Sequence, residues 1–220
     1  MLRATKVRIY PTQEQAEFLI AQFGAVRFAY NKSLHLKSHM YRKHGVILNP
    51  KKDIKPLLAV AKKSRKYHWL KQYDSIALQQ SVINLHQAFD NFFNPKLKAK
   101  YPQFKRRHSK QSSYHCVGVK VLDGAIKLPK MKPVEANIHR EIIGEVKSIT
   151  LSLSNTGKFY ASILADDGAE VPSPIHTVRK VTGVHLGLSH FAIESNGKKT
   201  ANPRFLGLKL LTIGSKQELD

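Results

Sequence analysis

Amide side chains recur along one side of a segment near the middle of the chain. Four of them, spaced four, three and four residues apart, are Gln80, Asn84, Gln87 and Asn91, and Gln79 lies beside them. Because residues three or four apart share a helix face, this spacing predicts an amide stripe on a helix. Amide groups pair bidentately with adenine and also hydrogen-bond phosphates. The stripe is therefore a candidate nucleic-acid contact, and the alternative is an ordinary polar face in solvent.

Histidines and the single cysteine suggest other chemistry. His35 and His39 are four residues apart and could form half of a metal site, but no acidic or cysteine partner is near them in the sequence, so they are interpreted as ordinary helix residues. His115 and Cys116 are adjacent, and adjacent strand residues point to opposite faces, which argues against a reactive dyad. Cys116 is interpreted as a buried structural thiol. One cysteine excludes a disulfide framework and Cys-based zinc sites.

The chain is strongly basic. Its 220 residues include 37 Lys and Arg against 15 Asp and Glu, a formal net charge of +22. Residues 51–71 hold eight basic residues and one acid, and residues 96–110 hold seven and none. An excess of this size favours a polyanion partner, most often nucleic acid, although each run could instead be a solvated loop or helix face. No apolar run is long enough to span a bilayer and the N-terminus lacks a signal peptide, so we expect an intracellular protein.

The first half of the chain has a strand pattern followed by helix patterns. Residues 2–10 alternate as in a short strand, and a capping box of Thr12 and Gln15 predicts the start of a helix. A second helix is predicted over residues 54–66. The third, which carries the amide stripe, is predicted from a cap at 74 or 75 to Phe93. The apolar stripe of the first helix consists of Leu19, Phe23, Val26, Tyr30 and Leu34.

The second half changes to strand periodicity. A hairpin is predicted from strands 115–122 and 125–128 around an Asp-Gly turn, and a second from strands near 149–153 and 159–163. A linker over 166–174 precedes further strands at 180–188 and 191–193. One face of the sheet is expected to be apolar. Residues 207–220 receive no assignment.

The segment Gly183–Leu188, with the sequence GVHLGL, leads from one strand into the next. It is similar to the beginning of an RNase-H-like nuclease core, in which the third position is an aspartate that ligates catalytic Mg²⁺. Here that position is His185, and imidazole is a poor ligand for a cation that prefers oxygen. Two-metal nucleases need several convergent carboxylates, whereas the acids after His185 are Glu194, Glu218 and Asp220. We therefore expect no catalytic residue and no metal site, with His185 as the degenerate position.

Nine collinear stretches together resemble TnpB, a transposon-encoded family of RNA-guided nucleases related to the type V CRISPR effectors. They are MLRATKVRIYPTQEQ at the start, FGAVRFAYN at 23–31, WL at 69–70, ALQQSVINLHQAFDNFF at 77–93, YPQFKRRHSKQSS at 101–113, IKLPK at 126–130, SITLSLSNTGKFYASI at 148–163, GVHLGLSHFAI at 183–193 and NPRFL at 202–206.

The resemblance implies an α+β fold. A wedge-type antiparallel β-barrel would contain an inserted helical recognition domain, and a truncated RNase-H-like (RuvC) segment would follow. The implied boundaries are 1–11 for the wedge strand, 12–112 for the helical recognition domain, 113–172 for the wedge barrel and 173–220 for the inactive RuvC-like segment. The family's zinc ribbon and its second and third catalytic carboxylates have no counterpart in the sequence.

This combination resembles the nuclease-dead TnpB-like repressors. It implies an RNA-guided DNA-binding protein that represses transcription by occupying promoters, with no cofactor and no catalytic Mg²⁺. The implied partners are a guide RNA and double-stranded target DNA with a short flanking motif, in a monomeric ribonucleoprotein of the bacterial cytoplasm, associated with the nucleoid. The alternatives are a fragment or remnant of a TnpB endonuclease, and a conventional DNA-binding protein that uses its N-terminal helices without RNA.

The resemblance also assigns two sets of contact residues. The residues implied to read the DNA motif are Asn49, Lys52, Ser75, Gln79, Gln80, Ser113, Tyr114 and Lys120. Those implied to contact RNA or phosphate are Arg27, Tyr30, Asn31, Lys105, Arg106 and Arg107.

Overall fold

In the computed structural model, the chain begins with the strand and the helix that the sequence predicts. Strand β1 covers Leu2–Tyr10 and helix α1 covers Gln13–His44. The predicted capping box is present: the Thr12 hydroxyl accepts the Gln15 amide at 3.3 Å, and the Thr12 amide donates to Gln15 Oε1 at 3.0 Å. Gly45, in the left-handed region at φ 66°, ends α1 by donating to carbonyls of its last turn.

The structure describes residues 1–107, 111–170 and 180–204, and the chain divides into two units, Met1–Val171 and Pro172–Asp220. The four-part domain division stays a prediction. The end of the expected linker, the unassigned tail and two of the acids that follow His185 lie outside the described residues.

The single helix predicted over 54–66 is wrong. Three short pieces take its place: a π-helical turn at Pro50–Ile54, α2 at Leu57–Ala61 and a 3₁₀ helix at Arg65–Gln72. Pro56 lacks the amide that a continuing helix needs, and Ser64 has extended backbone angles, so no regular helix passes through either position. Helix α3 then covers Ser75–Phe93, capped by Asp74 and ending at Asn94 as predicted.

Seven antiparallel strands form the sheet of the first unit, in the order β2-β6-β7-β1-β5-β4-β3. The predicted hairpins β3–β4 and β6–β7 are present. The strand predicted over 115–122 is instead two strands at opposite edges of the sheet, separated by Gly118 at φ 69°. The six strands added to β1 are β2 at Gln111–Cys116, β3 at Lys120–Leu122, β4 at Ala125–Lys127, β5 at Val134–Asn137, β6 at Glu145–Ser154 and β7 at Phe159–Asp166.

The predicted closed barrel is wrong, because the sheet is open between its edge strands β2 and β3. A flat sheet of seven strands would separate those edges by roughly 29 Å at ~4.8 Å per strand. The chain from Cys116 to Lys120 joins them and spans at most about 14 Å. The sheet must therefore curl strongly, while the described strands β2 and β3 do not pair with each other.

The core of the first unit joins this curled sheet to the helices. Leu19 and Leu78, from α1 and α3, lie in one apolar cluster with Ile126, Ile149 and Ala161 from the sheet. A second cluster holds α1 against α3 and consists of Tyr30, Leu34, Leu85 and Phe89. Because both clusters bury the apolar faces of α1 and α3, the polar faces of these helices are left at the surface. Among the described helices, none has the length and apolar character needed to cross a membrane.

The second unit contains a three-stranded antiparallel sheet in the order β10-β9-β8. Strand β8 covers Val184–Leu186, β9 covers His190–Glu194 and β10 covers Lys199–Ala201. The first of these is much shorter than the predicted 180–188. Gly197, at φ 89°, lies in the turn between β9 and β10.

Candidate nucleic-acid interface

The first turn of α3 presents predicted motif-reading residues at the surface. Asp74 caps it by accepting the Ile76 amide at 2.9 Å, and the Asp74 amide donates to Gln22 Oε1 of α1 at 2.9 Å. Ser75 and Gln79 lie one turn apart on the same side of the helix, and Gln79 is exposed. The link between Asp74 and Gln22 therefore fixes the position of this turn against α1.

Lysine side chains from two segments lie beside this turn. Lys62 Nζ donates to Ser75 Oγ at 2.6 Å, and Lys130 Nζ donates to the Lys71 carbonyl at 2.5 Å. Burial, together with the charge of Lys130, lowers the pKa of the Lys62 amine, and Asp74 opposes that effect. Positive side chains at the N-terminal end of a helix, where the dipole is also positive, attract anions such as phosphate.

The amide stripe on α3 forms as predicted. Gln80 Nε2 donates to Asn84 Oδ1 at 3.0 Å, and Gln87 Nε2 donates to Asn91 Oδ1 at 3.0 Å. These pairs use one donor of each glutamine and one acceptor lone pair of each asparagine, so other donors and acceptors remain available. The stripe can contact a polar partner.

The other predicted motif readers lie on elements around α3. Asn49 Oδ1 accepts the amides of Lys51 and Lys52, so its carbonyl caps the π-helical turn, which packs on α3. The side chain of Lys52 is exposed. Ser113 is exposed on β2, which also packs on α3, whereas Lys120 is exposed on β3 at the other edge of the sheet.

Tyr114 requires a correction. Its side chain is 6% exposed and its ring packs edge-on against Phe23, with 5.4 Å between centroids. Burial raises the pKa of its hydroxyl. The Tyr114 ring is a core residue and cannot reach a DNA base.

A basic segment, residues 101–107, crosses α1 and is called the strap below. Asn31 holds it by two hydrogen bonds: Nδ2 donates to the Lys105 carbonyl at 2.9 Å, and Oδ1 accepts the Lys105 amide at 2.8 Å. Lys105 Nζ lies 4.3 Å from the centroid of the Tyr30 ring, and burial lowers the pKa of this amine. The structure thus brings together three of the predicted RNA contacts.

The roles of two of these residues change. Tyr30 is 5% exposed in the cluster between α1 and α3, so it supports Lys105 and cannot stack on a base. The side-chain amide of Asn31 is hydrogen-bonded to the strap backbone. Lys105, Arg106 and Arg107 are exposed residues of the strap, while Arg27 is half-buried on α1.

The remaining sequence predictions concern the paired histidines of α1 and the single cysteine. Cys116 is buried, its Sγ donates to the Ile149 carbonyl at 3.4 Å, and burial raises its pKa to about 12, which makes the thiol inert at neutral pH. The rings of His35 and His39 stack with centroids 5.8 Å apart. Within the described ranges, no three His, Cys, Asp or Glu side chains are arranged to hold a metal ion.

His185 lies in the middle of β8, opposite Ile193 of β9. The nearest acid in sequence among the described residues that follow is Glu194. Its carboxylate accepts a hydrogen bond from Asn196 at 3.0 Å and lies 3.8 Å from Lys198 Nζ. Both partners belong to the turn that follows β9, so this carboxylate is engaged within its own hairpin.

Several surface residues escaped prediction. Lys62 and Lys130 join the α3 surface, and Phe104 of the strap lines a groove together with Arg42 of α1. Lys62 was visible only as one of many lysines in a charge run. Lys130 was hidden because its role depends on a contact with residue 71, far away in the sequence.

Residues 1–45 match a family model described as "Helix-turn-helix domain" (HTH_OrfB_IS605). In this chain those residues form β1 and the continuous helix α1, so the described fold of this segment is a strand followed by one helix. The chain is also similar to "Virulence protein VsdF" of Salmonella dublin, with 72% identity over 116 residues that make up 50% of this chain and 98% of that protein.

Two longer relatives match nearly the whole chain. One is a "Putative RNA-guided DNA endonuclease" of Streptomyces pristinaespiralis, 30% identical over 92% of this chain and 50% of its own length. The other is the "Putative RNA-guided DNA endonuclease InsQ" of Escherichia coli K12, 30% identical over 89% of this chain and 48% of its own length. The chain spans about half the length of these two relatives. A chain of the cryo-EM structure of the Cas12f1-sgRNA-target DNA complex aligns with a TM-score of 0.39 and 12% identity, over 100% of this chain and 62% of that one.

Proposed function

This chain belongs to the TnpB family, and we propose that it is an RNA-guided DNA-binding protein that does not cut its target. In this proposal a guide RNA selects a site by base pairing, and the bound complex represses transcription by blocking the promoter. The protein would contact the sugar–phosphate backbone of the RNA–DNA heteroduplex, while base pairing supplies the sequence specificity. It would work as a monomeric ribonucleoprotein in the bacterial cytoplasm, associated with the nucleoid.

The observation that carries the non-cutting part of the proposal is His185. The resemblance places a Mg²⁺-ligating aspartate at this position, and the described surroundings do not fit that ion. Imidazole is a poor ligand for Mg²⁺, and the Glu194 carboxylate is already engaged by Asn196 and Lys198. We therefore propose that the chain does not cleave its target and uses no cofactor.

The first unit supports the binding part of the proposal. The lysines beside the first turn of α3 would neutralise phosphates, and the exposed amide of Gln79 would read a base edge of the flanking motif. Lys52, Ser113 and Lys120 would add contacts to the same DNA, and Arg106 and Arg107 would bind the RNA backbone. These roles are proposals for exposed side chains.

A second candidate is an N-terminal part, or a remnant, of a TnpB endonuclease. The observation that favours it is length, since the chain spans about half of two relatives whose names describe endonucleases. In that case the chain would show RNA association only together with the remainder of such a protein, or none at all.

Purification of the chain from its native host, followed by sequencing of the RNA bound to it, separates these candidates. We expect one enriched RNA species, and the complex should shift duplex DNA that matches the guide segment more strongly than a scrambled duplex. A duplex bound equally well after ribonuclease treatment would indicate a DNA-binding protein that needs no RNA. Absence of any enriched RNA would contradict the proposal and favour a remnant.

A further inference from the structure

We propose that a groove between α1 and the strap binds an unpaired nucleotide of a single nucleic-acid strand. The base would stack on Phe104, and the adjoining phosphates would meet Arg42 and Arg106. The inference rests on the proposed function in so far as the guide RNA supplies that strand. It goes further by identifying which part of the RNA, an unpaired nucleotide, this surface takes.

The groove is built from one face of α1 and from the strap. It has a volume of about 510 Å³. Helix α1 contributes one face to it, with His35, Ser38, His39 and Arg42 at positions i, i+3, i+4 and i+7. Tyr101, Phe104 and Arg106 form the opposite wall. Sites of roughly 300–1,000 Å³ are typical for small organic ligands, so the groove is large enough for a nucleotide.

The strap is fixed before any ligand arrives. The two hydrogen bonds from Asn31 hold its Lys105 backbone, at 2.9 and 2.8 Å. At its other end, the Tyr101 hydroxyl and Ser38 Oγ are 3.0 Å apart, and the Tyr101 ring packs edge-on against Phe89 and Phe92 with centroids 5.5 and 5.4 Å away. A wall held at both ends loses little entropy when a ligand binds.

The chemistry of the lining fits a nucleotide. Phe104 is an aromatic side chain that is 56% exposed, whereas Tyr101 is anchored by its neighbours. Arg42, Lys43 and Arg106 supply positive charge, and no acidic side chain is present among the described residues that line the groove. An exposed ring next to cations is the arrangement that single-strand-binding proteins use, because every base has a face that can stack.

Duplex nucleic acid does not fit this chemistry as well. In a duplex the faces of the bases are covered by their neighbours, so Phe104 could not reach one without unstacking it. The groove is therefore expected to prefer unpaired segments. RNA and DNA share the base and the phosphate, and the measurement below distinguishes the two.

The test compares Phe104→Ala with Tyr41→Ala in the full chain. Tyr41 is a matched control, because it is an aromatic residue on α1 that is 61% exposed and does not line the groove. Fluorescence anisotropy would measure affinity for a labelled single-stranded RNA, a DNA of the same sequence and an abasic strand of the same length. Phe104→Ala should weaken binding of the base-containing strands about fivefold to 100-fold and leave binding of the abasic strand unchanged. Tyr41→Ala should bind every strand as the wild type does.

Two further measurements keep the result interpretable. Phe104→Leu retains apolar bulk and replaces the alanine variant if that variant unfolds. Arg106→Gln should make the fall of log affinity with log salt less steep, by roughly 0.7 on a single strand. Equal binding of base-containing strands by wild type and both Phe104 variants would overturn the proposal, as would equal losses on base-containing and abasic strands. These short strands carry no guide sequence, so the groove can fail to bind them even if guide RNA still co-purifies with the chain; that result would contradict only the groove proposal. If the strands bind through Phe104 but no guide RNA co-purifies, only the proposed function is contradicted.

Discussion

The two units of the chain treat their apolar side chains differently. In the first unit Leu78 and Leu85 are 0% exposed, between helices and a curled sheet. In the second, Leu188 is 90% exposed and Phe191 is 55% exposed on a sheet of three short strands. Burial of apolar surface is the dominant stabilising contribution in folding. The comparison indicates that the first unit carries most of the stability that the described residues provide.

The units also differ in charge chemistry. The first unit brings lysines together at the start of α3 and holds a basic strap across α1. In the second, the Glu194 carboxylate contacts Asn196 and Lys198 of its own turn, and His185 occupies the position that the resemblance assigns to a metal ligand. Our account therefore assigns nucleic-acid binding to the first unit and no cleavage to the second.

The largest expected effect is the salt dependence of nucleic-acid binding. If six to ten phosphates are neutralised, affinity should fall by roughly 10³–10⁵ between 50 and 200 mM salt. The double variant Arg106→Gln with Arg107→Gln should make the fall of log affinity with log salt less steep, by roughly 1.4–1.8. Lys198→Gln with Lys199→Gln in the second unit should leave this slope nearly unchanged. Filter binding across a salt series measures both. A flat plot, or equal effects of the two doubles, would abolish the distinction between the units.

Core truncation sharpens the same comparison through stability. Leu78→Ala should lower the free energy of unfolding by about 2–5 kcal/mol, because it removes buried contacts and leaves a cavity. Leu186→Ala, at a side chain 65% exposed on β8, should change it by less than about 0.5 kcal/mol. Urea denaturation followed by circular dichroism gives both values. A comparable loss for Leu186→Ala would show that its exposed strand is a stabilising part of the fold.

Sequence reading should be lost at one amide and retained at another. Gln79→Ala should weaken binding of a target with its proper flanking motif by about 1–3 kcal/mol, the range for a lost base-edge contact. Gln13→Ala, at an exposed glutamine in the first turn of α1 with no proposed contact, is the matched control and should have a small effect. Competition binding with proper and scrambled flanks measures the difference. If Gln79→Ala weakens both targets equally, Gln79 does not read the motif.

The smallest expected effect concerns the N-terminus and pH. The Met1 ammonium, with the Ala169 amide and Arg3, lowers the pKa of Asp167 from 3.8 to about 2. Because the folded pKa lies below the unfolded one, this carboxylate stabilises the first unit above about pH 4 and the stabilisation is lost as the pH falls towards 2. Thermal melts should show a lower Tm for Asp167→Asn than for wild type near pH 5, and a difference that shrinks towards pH 2. A Tm difference between wild type and Asp167→Asn that stays constant with pH would rule out this linkage. Glu194→Gln is the control, because it removes a carboxylate elsewhere in the chain.

Local signals predicted much of the fold and fewer of its contacts. The capping box at Thr12 and the apolar stripes predicted α1 and α3, because a helix is specified by residues within a few positions of each other. The helix expected over 54–66 is wrong because Pro56 lacks an amide and Ser64 has extended backbone angles, so no regular helix continues through them. Whether the sheet closes depends on edge strands whose pairing leaves no local pattern.

Two of the predicted contact residues are tyrosines that the fold buries. Tyr30 belonged both to the predicted apolar stripe of α1 and to the implied RNA contacts, and burial selects the first role. Tyr114 alternates with exposed Ser113 along β2, so only one of the two could face solvent. The groove at the strap was not predictable, since it depends on Asn31 reaching a segment far along the chain.

The measurement that tests the central claim is cleavage of end-labelled target DNA. The chain, loaded with the RNA that co-purifies with it, is incubated with matched duplex in Mg²⁺, and the strands are resolved on a denaturing gel. We predict that wild type and His185→Asp both bind the duplex and leave both strands intact, because one added carboxylate does not complete an octahedral Mg²⁺ site. Cleavage by His185→Asp alone would mean that an unforeseen acid or a second chain completes the site. Cleavage of either strand by the wild-type chain would contradict the account.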